Sequence, residues 1–186
     1  MPLVKFTPYE RHRMRWQDCN RCDLCRQRDK VVLARGRVPA PILFIGEAPG
    51  ASEDVLGRPF VGPAGHLLDQ IIESALDGQY DYAITNLVGC FPRDAKDTPN
   101  HEPPKDAIEA CADRVREFVC LSEADLIVCV GTLATKWVPT ITKLPMRQRK
   151  MVSIIHPAAI LRMDVSQQGL AIQRAIVTIE DAAAEL

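Results

Sequence analysis

The chain has 186 residues, 47% hydrophobic and 25% charged, with a formal net charge of −1. That length suits a single domain spanning residues 1–186 with a real core, the composition argues against global disorder, and the charge balance excludes a uniformly basic coat while leaving room for a local basic face. No apolar run approaches the roughly 18 residues that span a bilayer, and the opening MPLVKFTPYERHRMRW lacks a secretory apolar core, so the expectation is a cytoplasmic protein with no membrane partner.

In chain order, residues 10–30 are dense in charge and cysteine and read as a small N-terminal unit packed on the main body. The chain carries seven cysteines, an odd number that cannot pair completely. A reducing compartment argues against structural disulfides, which leaves metal ligation, catalysis or service as small apolar core residues. Four short apolar runs follow, PILFI (41–45), YAITNLV (82–88), LIVCV (126–130) and MVSII (151–155). They are continuous rather than alternating, the pattern of strands buried on both faces of a parallel sheet. Helical stripes lie between them. Leu67, Leu68, Ile71, Ile72, Ala75 and Leu76 share a face after Gly62-Pro63, and Ile108, Cys111, Val115, Phe118 and Val119 share another after Pro103-Pro104. A short helix is predicted after Gly131 and a longer one over 165–183, with 91–102 as a polar loop. Alternating strands and helices predict an α/β fold, three-layered αβα around a mostly parallel four-stranded sheet.

In such a sheet ligands bind at the carboxyl ends of the strands. There the sequence places Gly46-Glu47-Ala48-Pro49-Gly50, then Asn86, then Gly131, then His156-Pro157. A carboxylate can position water or stabilise a cationic sugar, an amide can both donate to and accept from a pyrimidine's pairing edge, and an imidazole can stabilise charge developing on a leaving group. Each residue also has a bland reading: Asn86 as a turn residue, His156 as a half-buried structural histidine, Phe60 as core packing rather than a surface for stacking a base. Their joint placement on one rim is what favours a site.

The segments GEAPGASED (46–54), GRPFVGPAGHLLD (57–69), TNLVGC (85–90) and HPAAILR (156–162) resemble the family 4, iron–sulfur, uracil-DNA glycosylases, and the resemblance runs from about Cys19 to Arg162. It implies hydrolysis of the N-glycosidic bond of uracil in DNA by a monofunctional, monomeric enzyme of base excision repair, leaving an abasic site, with a nucleoid-associated location. It implies Glu47 as the catalytic carboxylate and His156 as the group that stabilises departing uracil. It implies Glu53 as a residue crowding the C5 position against thymine, Phe60 as the stacking aromatic, Asn86 as the amide that reads uracil's edge, and backbone at Gly46 and Ala48 as pocket lining. Ile160, Leu161 and Arg162 match the loop that enters the duplex as the base leaves it; extrusion costs about a few kcal/mol.

The same resemblance implies a [4Fe–4S] cluster on Cys19, Cys22, Cys90 and Cys111, tying down the N-terminal segment. Cys25 makes an alternative pair with Cys22, and four thiolates could also hold zinc, though the resemblance favours iron–sulfur. Cys120 and Cys129 lie in apolar runs and are expected in the core. Two departures stand out. Twenty residues separate Cys90 from Cys111, a longer spacing than the family's, and Ala158 occupies a position where the family often has Ser. KLPMRQRK (143–150) is basic and reads either as a phosphate-tracking segment or as a solvated loop. The departures keep open a second activity, on another damaged or hypermodified base; separately from them, binding of uracil-containing DNA without turnover is a further alternative.

Overall fold

The computed structural model describes residues 5–93, 102–142 and 149–186. Its sheet is built from β1 (Ala34–Gly36), β2 (Ile42–Gly46), β3 (Tyr82–Asn86), β4 (Leu126–Val130) and β5 (Lys150–Ile154), in the spatial order β1-β3-β2-β4-β5. Strands β2 to β5 run parallel, with Gly46 beside Asn86 and Ile45 beside Cys129 in the register. Every residue of β2 and β4 is buried, which is why those runs carry no alternation.

The expected four strands are joined by a fifth. β1 has three residues and pairs antiparallel with β3, Ala34 against Thr85 to Gly36 against Ala83. An Ala-Arg-Gly strand on a half-exposed edge has neither length nor apolar pattern to announce it. β5 also departs from expectation. It is the other edge, and its outward positions include the exposed Met151, so only one of its faces is core.

The helices are α1 (Pro8–Trp16), α2 (Ala51–Leu56), α3 (Pro63–Leu76), α4 (Lys105–Ser122), α5 (Thr132–Ile141), α6 (Pro157–Ile160) and α7 (Val165–Ala183). Two cores flank the sheet. Leu43, Ile45, Ala83, Ile127 and Cys129 face α4 and α5; Ile42, Phe44, Ile84, Val128 and Val130 face α3 and α7. Alternate residues of each buried strand thus serve opposite layers. α1 is set by a reciprocal cap: the Thr7 hydroxyl accepts the Glu10 amide at 3.1 Å and the Glu10 carboxylate accepts the Thr7 amide at 2.6 Å.

The N-terminal segment docks on α4. His12 and Trp16 are buried there, and Trp16 Nε1 donates to Glu117 at 2.8 Å. A second tie is Asp54 on α2, fully buried, whose carboxylate accepts the backbone amides of Asp29 and Lys30 and pairs with Arg93 at 2.8 Å. Cys129 is a core residue as expected, but Cys120 is exposed. It follows Val119 by one position on α4 and so points away from the stripe that Cys111, Val115 and Phe118 make. Most of the basic segment 143–150 and of the loop 91–102 lies outside the described residues. Among the described residues no helix is long and apolar enough to cross a membrane.

Candidate active site

The parallel strands end on one rim, and a cleft of about 950 Å³ opens there. Glu47, Ala48, Glu53, Phe60, Asn86, Gly131, His156 and Arg162 all line it. Gly46, expected with Ala48 as pocket lining, does not itself line the cleft but lies behind Phe60 and Asn86, which do. A Cβ at that position would overlap the Phe60 ring and lie 2.5 Å from Asn86 Oδ1. Only glycine lets the ring and the amide meet across the end of β2.

Asn86 closes β3. It is 1% exposed, and its Oδ1 has no hydrogen-bond donor among the described residues. Just past it, the Leu87 amide donates to Gly46 O at 2.9 Å and the Val88 amide to Glu47 O at 3.0 Å, which locks the two strand ends together although the ladder has ended.

Glu47 and His156 meet over Gly131. That glycine has φ +95°, and a Cβ on it would come to 2.7 Å from Glu47 Oε1 and 3.1 Å from His156 Cβ. Burial holds the Glu47 carboxyl above its ordinary value and the nearby Glu102 carboxylate adds to this; the Leu133 amide and the Arg162 charge act the other way. Burial and the Arg162 charge push His156 down to about 4, so its imidazole is neutral at physiological pH. The Ala158 amide donates to His156 Nδ1 at 3.1 Å. The proton of the neutral ring therefore sits on Nε2. A backbone group does this, so an alanine at 158 suffices to orient the ring.

Phe60 packs against the same imidazole, with ring centroids 5.9 Å apart and planes 29° from parallel. Its backbone is left-handed at φ +55°, an unusual state for a residue with a Cβ. Two side chains brace it there. Glu53 Oε1 accepts the amides of Val61 and Gly62, each at 2.8 Å, and Oε2 accepts that of Gly50 at 3.0 Å. Arg35 on β1 donates to Pro59 O at 2.9 Å and Phe60 O at 3.4 Å and is held by Asp69. Glu53 lines the cleft, yet both its oxygens are engaged by backbone. Arg35 was not legible as a site residue, because its contacts are to carbonyls of a loop whose path no motif reveals.

The three residues assigned to the DNA-entering loop separate. Leu161 and Arg162 are exposed, whereas Ile160 is fully buried in the core against α3 and α7. The α6 turn puts 160 inward and the next two residues outward.

The cysteines gather elsewhere, under the N-terminal segment. Cys90 and Cys111 are buried and Cys22 packs on the same core. Burial pushes the Cys90 thiol up to about 11, with the charges of Cys111 and Cys22 adding and Arg28 opposing; Arg28 Nη1 donates to Cys90 Sγ at 3.4 Å. Cys22 is raised by burial and by Cys111, Cys19 and Cys25. Among the described residues no three such side chains converge into a ready-made single-ion site.

The sequence profile of the uracil-DNA glycosylase superfamily matches residues 33–176. The type-4 uracil-DNA glycosylase of Archaeoglobus fulgidus is 31% identical over 160 residues, covering 77% of this chain and 78% of the relative. That of Thermotoga maritima is 31% identical over 159 residues, 80% of each chain. That of Sulfurisphaera tokodaii is 39% identical over 121 residues, 64% of this chain and 53% of the relative, so against that protein the chain spans about half the length.

Proposed function

This chain belongs to the uracil-DNA glycosylase superfamily, alongside its type-4 members, and we propose that it hydrolyses the N-glycosidic bond of uracil in DNA. The observation that carries this reading to the site is the buried, unpartnered Oδ1 of Asn86. A buried acceptor without a donor costs about 1–3 kcal/mol, and it persists where a ligand supplies the donor. Uracil does so with N3–H, while its O4 accepts from the same amide's NH2. Cytosine offers an acceptor at N3 and a donor at C4, the wrong polarity at both positions.

A flipped uracil seated on Phe60 would bring its O2 toward His156 and its sugar toward Glu47. As the C1′–N1 bond breaks, its electron pair leaves on the base. The neutral His156 donates from Nε2 to the oxygen on which that charge appears. The Glu47 carboxylate stabilises the oxocarbenium-like sugar and orients the water that adds to C1′, taking up the proton that water loses. Glu53, with both oxygens spent on backbone amides, shapes the C5 side of the pocket by fixing the loop. Leu161 and Arg162 are the residues of α6 that would meet the duplex, with Ile160 as their anchor. The binding partner is uracil-containing DNA.

We infer further that Cys22, Cys90 and Cys111, with Cys19 from the CxxC pair, hold a [4Fe–4S] cluster. The chemistry of the donor set fits, since the set is four thiols, Cys22 and Cys90 each respond to the charge of Cys111, and a cationic donor addresses Cys90. Such a cluster supplies a covalent tie between the N-terminal segment, the end of β3 and α4. Cys25 neighbours Cys22 as Cys19 does. Cys19 takes precedence on its CxxCxL context, and it also borders an outward cleft beside Cys120.

The test is release of free uracil from an oligonucleotide with one uracil, against cytosine and thymine controls, for the native protein and Asn86→Ala. Release at uracil alone, reduced at least about a hundredfold in the variant, is expected. No release from protein that carries its iron–sulfur absorbance overturns the substrate and directs the assay to other modified bases.

A further inference from the structure

The side chain of Asn86 can present one fixed polarity to a base only if its own backbone is fixed. One side of that backbone is accounted for by the amides of Leu87 and Val88, bonded to Gly46 and Glu47. The other side is not accounted for by the sheet. β3 pairs with β1 only as far as Thr85, opposite Ala34, and beyond that point the carbonyls of Asn86 and Leu87 need donors from outside the ladder.

The donors come from α4. Arg114 is 1% exposed. Its Nη2 donates to Asn86 O at 2.6 Å and to Leu87 O at 3.0 Å, and its Nη1 donates to Thr85 Oγ1 at 3.3 Å. The Thr85 hydroxyl in turn donates a hydrogen bond to Leu33 O at 2.6 Å. The acceptors of this guanidinium are thus neutral oxygens on three successive residues, Thr85 and Asn86 of β3 and Leu87 just past it, and its Nε has no acceptor among the described residues. Burying a cation against neutral acceptors is expensive. A planar fork that spans consecutive carbonyls is what the guanidinium offers and a lysine or an amide does not.

We propose that Arg114 is a positioning residue for the base-reading amide. It fixes the peptide that carries Asn86 and so fixes the direction in which Oδ1 and Nδ2 face the cleft. The inference rests on Asn86 reading the base. It adds that the reading amide is held from outside the cleft, by a residue one turn along α4 from Cys111.

The experiment is a double-mutant cycle with a readout that needs no turnover. Arg114→Lys keeps the charge and loses the fork. In the native background it lowers kcat/KM for uracil release about tenfold or more and narrows the preference for uracil over cytosine. In the Asn86→Ala background the same change alters the rate by less than about twofold, because its route of action is already gone. Equal losses in both backgrounds would assign a general structural role and overturn the proposal. If the lysine variant does not fold, Arg114→Gln goes through the same cycle. Independently, the chain has three asparagines, Asn20, Asn86 and Asn100. The side-chain amide pair of Asn86 in a 15N spectrum is the one absent from Asn86→Ala. Arg114→Lys should shift or broaden that pair and leave the other two in place; an unmoved Asn86 pair overturns the proposal. A native protein that releases no uracil but whose Asn86 pair responds to Arg114→Lys sinks the substrate assignment alone.

Discussion

At the scale of single residues, the site separates two titratable groups by environment. His156 is half-buried beside Arg162, and its folded value of about 4 leaves it neutral at physiological pH. Glu47 is pushed the opposite way, upward, by burial and by Glu102. The role given to Glu47 needs the carboxylate, so activity falls as pH drops through that raised value. The pH profile of kcat/KM should therefore show its acid limb above the ordinary carboxyl range, with no inflection at the usual histidine value near 6.5. Glu102→Gln removes the like charge and should move that limb to lower pH, leaving the plateau rate within about threefold. A limb that stays in place would mean Glu102 does not act on Glu47.

At the scale of elements, the loop between α2 and α3 decides where the stacking ring sits. Phe60 is held in a left-handed backbone state by the Glu53 carboxylate from one side and the Arg35 guanidinium from the other. A ring that stacks on the base before and during bond cleavage contributes uniform binding, which appears in KM. Arg35→Gln should raise KM for uracil DNA about tenfold with kcat within about threefold; a fall confined to kcat would remove Arg35 from this role. The same loop shows what could be read from the chain. β2, β4 and the α3 and α4 stripes were legible because burial writes a pattern, every residue in the strands and every third or fourth in the helices. The rim residues Glu47, Asn86 and His156 were legible because they stand at or just past the ends of β2, β3 and β5. β1, Arg35 and Arg114 were not. A three-residue edge strand has no period, and an arginine bonded to backbone carbonyls looks in sequence like any solvated cation. Cys120 was misplaced for a related reason: an apolar run on a helix still turns 100° per residue.

At the scale of the whole molecule, ties between the N-terminal segment and the body include α1 on α4 and Asp54 on the 29–30 backbone, and the proposed cluster would add another. The first of these carries an acid sensitivity. His12 is fully buried among Tyr9, Trp16 and Phe118, with ring centroids 5.6 Å from Phe118. Burial, with the charges of Arg114 and Arg15, holds it down to about 4 in the fold, although Glu117 lies 3.5 Å from Nδ1 and pulls upward. In the unfolded chain the same imidazole titrates near 6.5. The unfolded state therefore binds the extra proton first, and stability present above pH 6.5 is lost as pH falls toward 4, by about 1.4 kcal/mol per pH unit for one such histidine. His156 shares the same window, because its folded value is depressed to a similar level. Urea midpoints measured from pH 7.5 to 4.5 should fall steadily below pH 6.5. His12→Phe keeps an aromatic ring in the cage and removes one of the two protons, so its midpoint should fall about half as steeply. Parallel curves for the two proteins would show that the α1–α4 contact is not where acid acts.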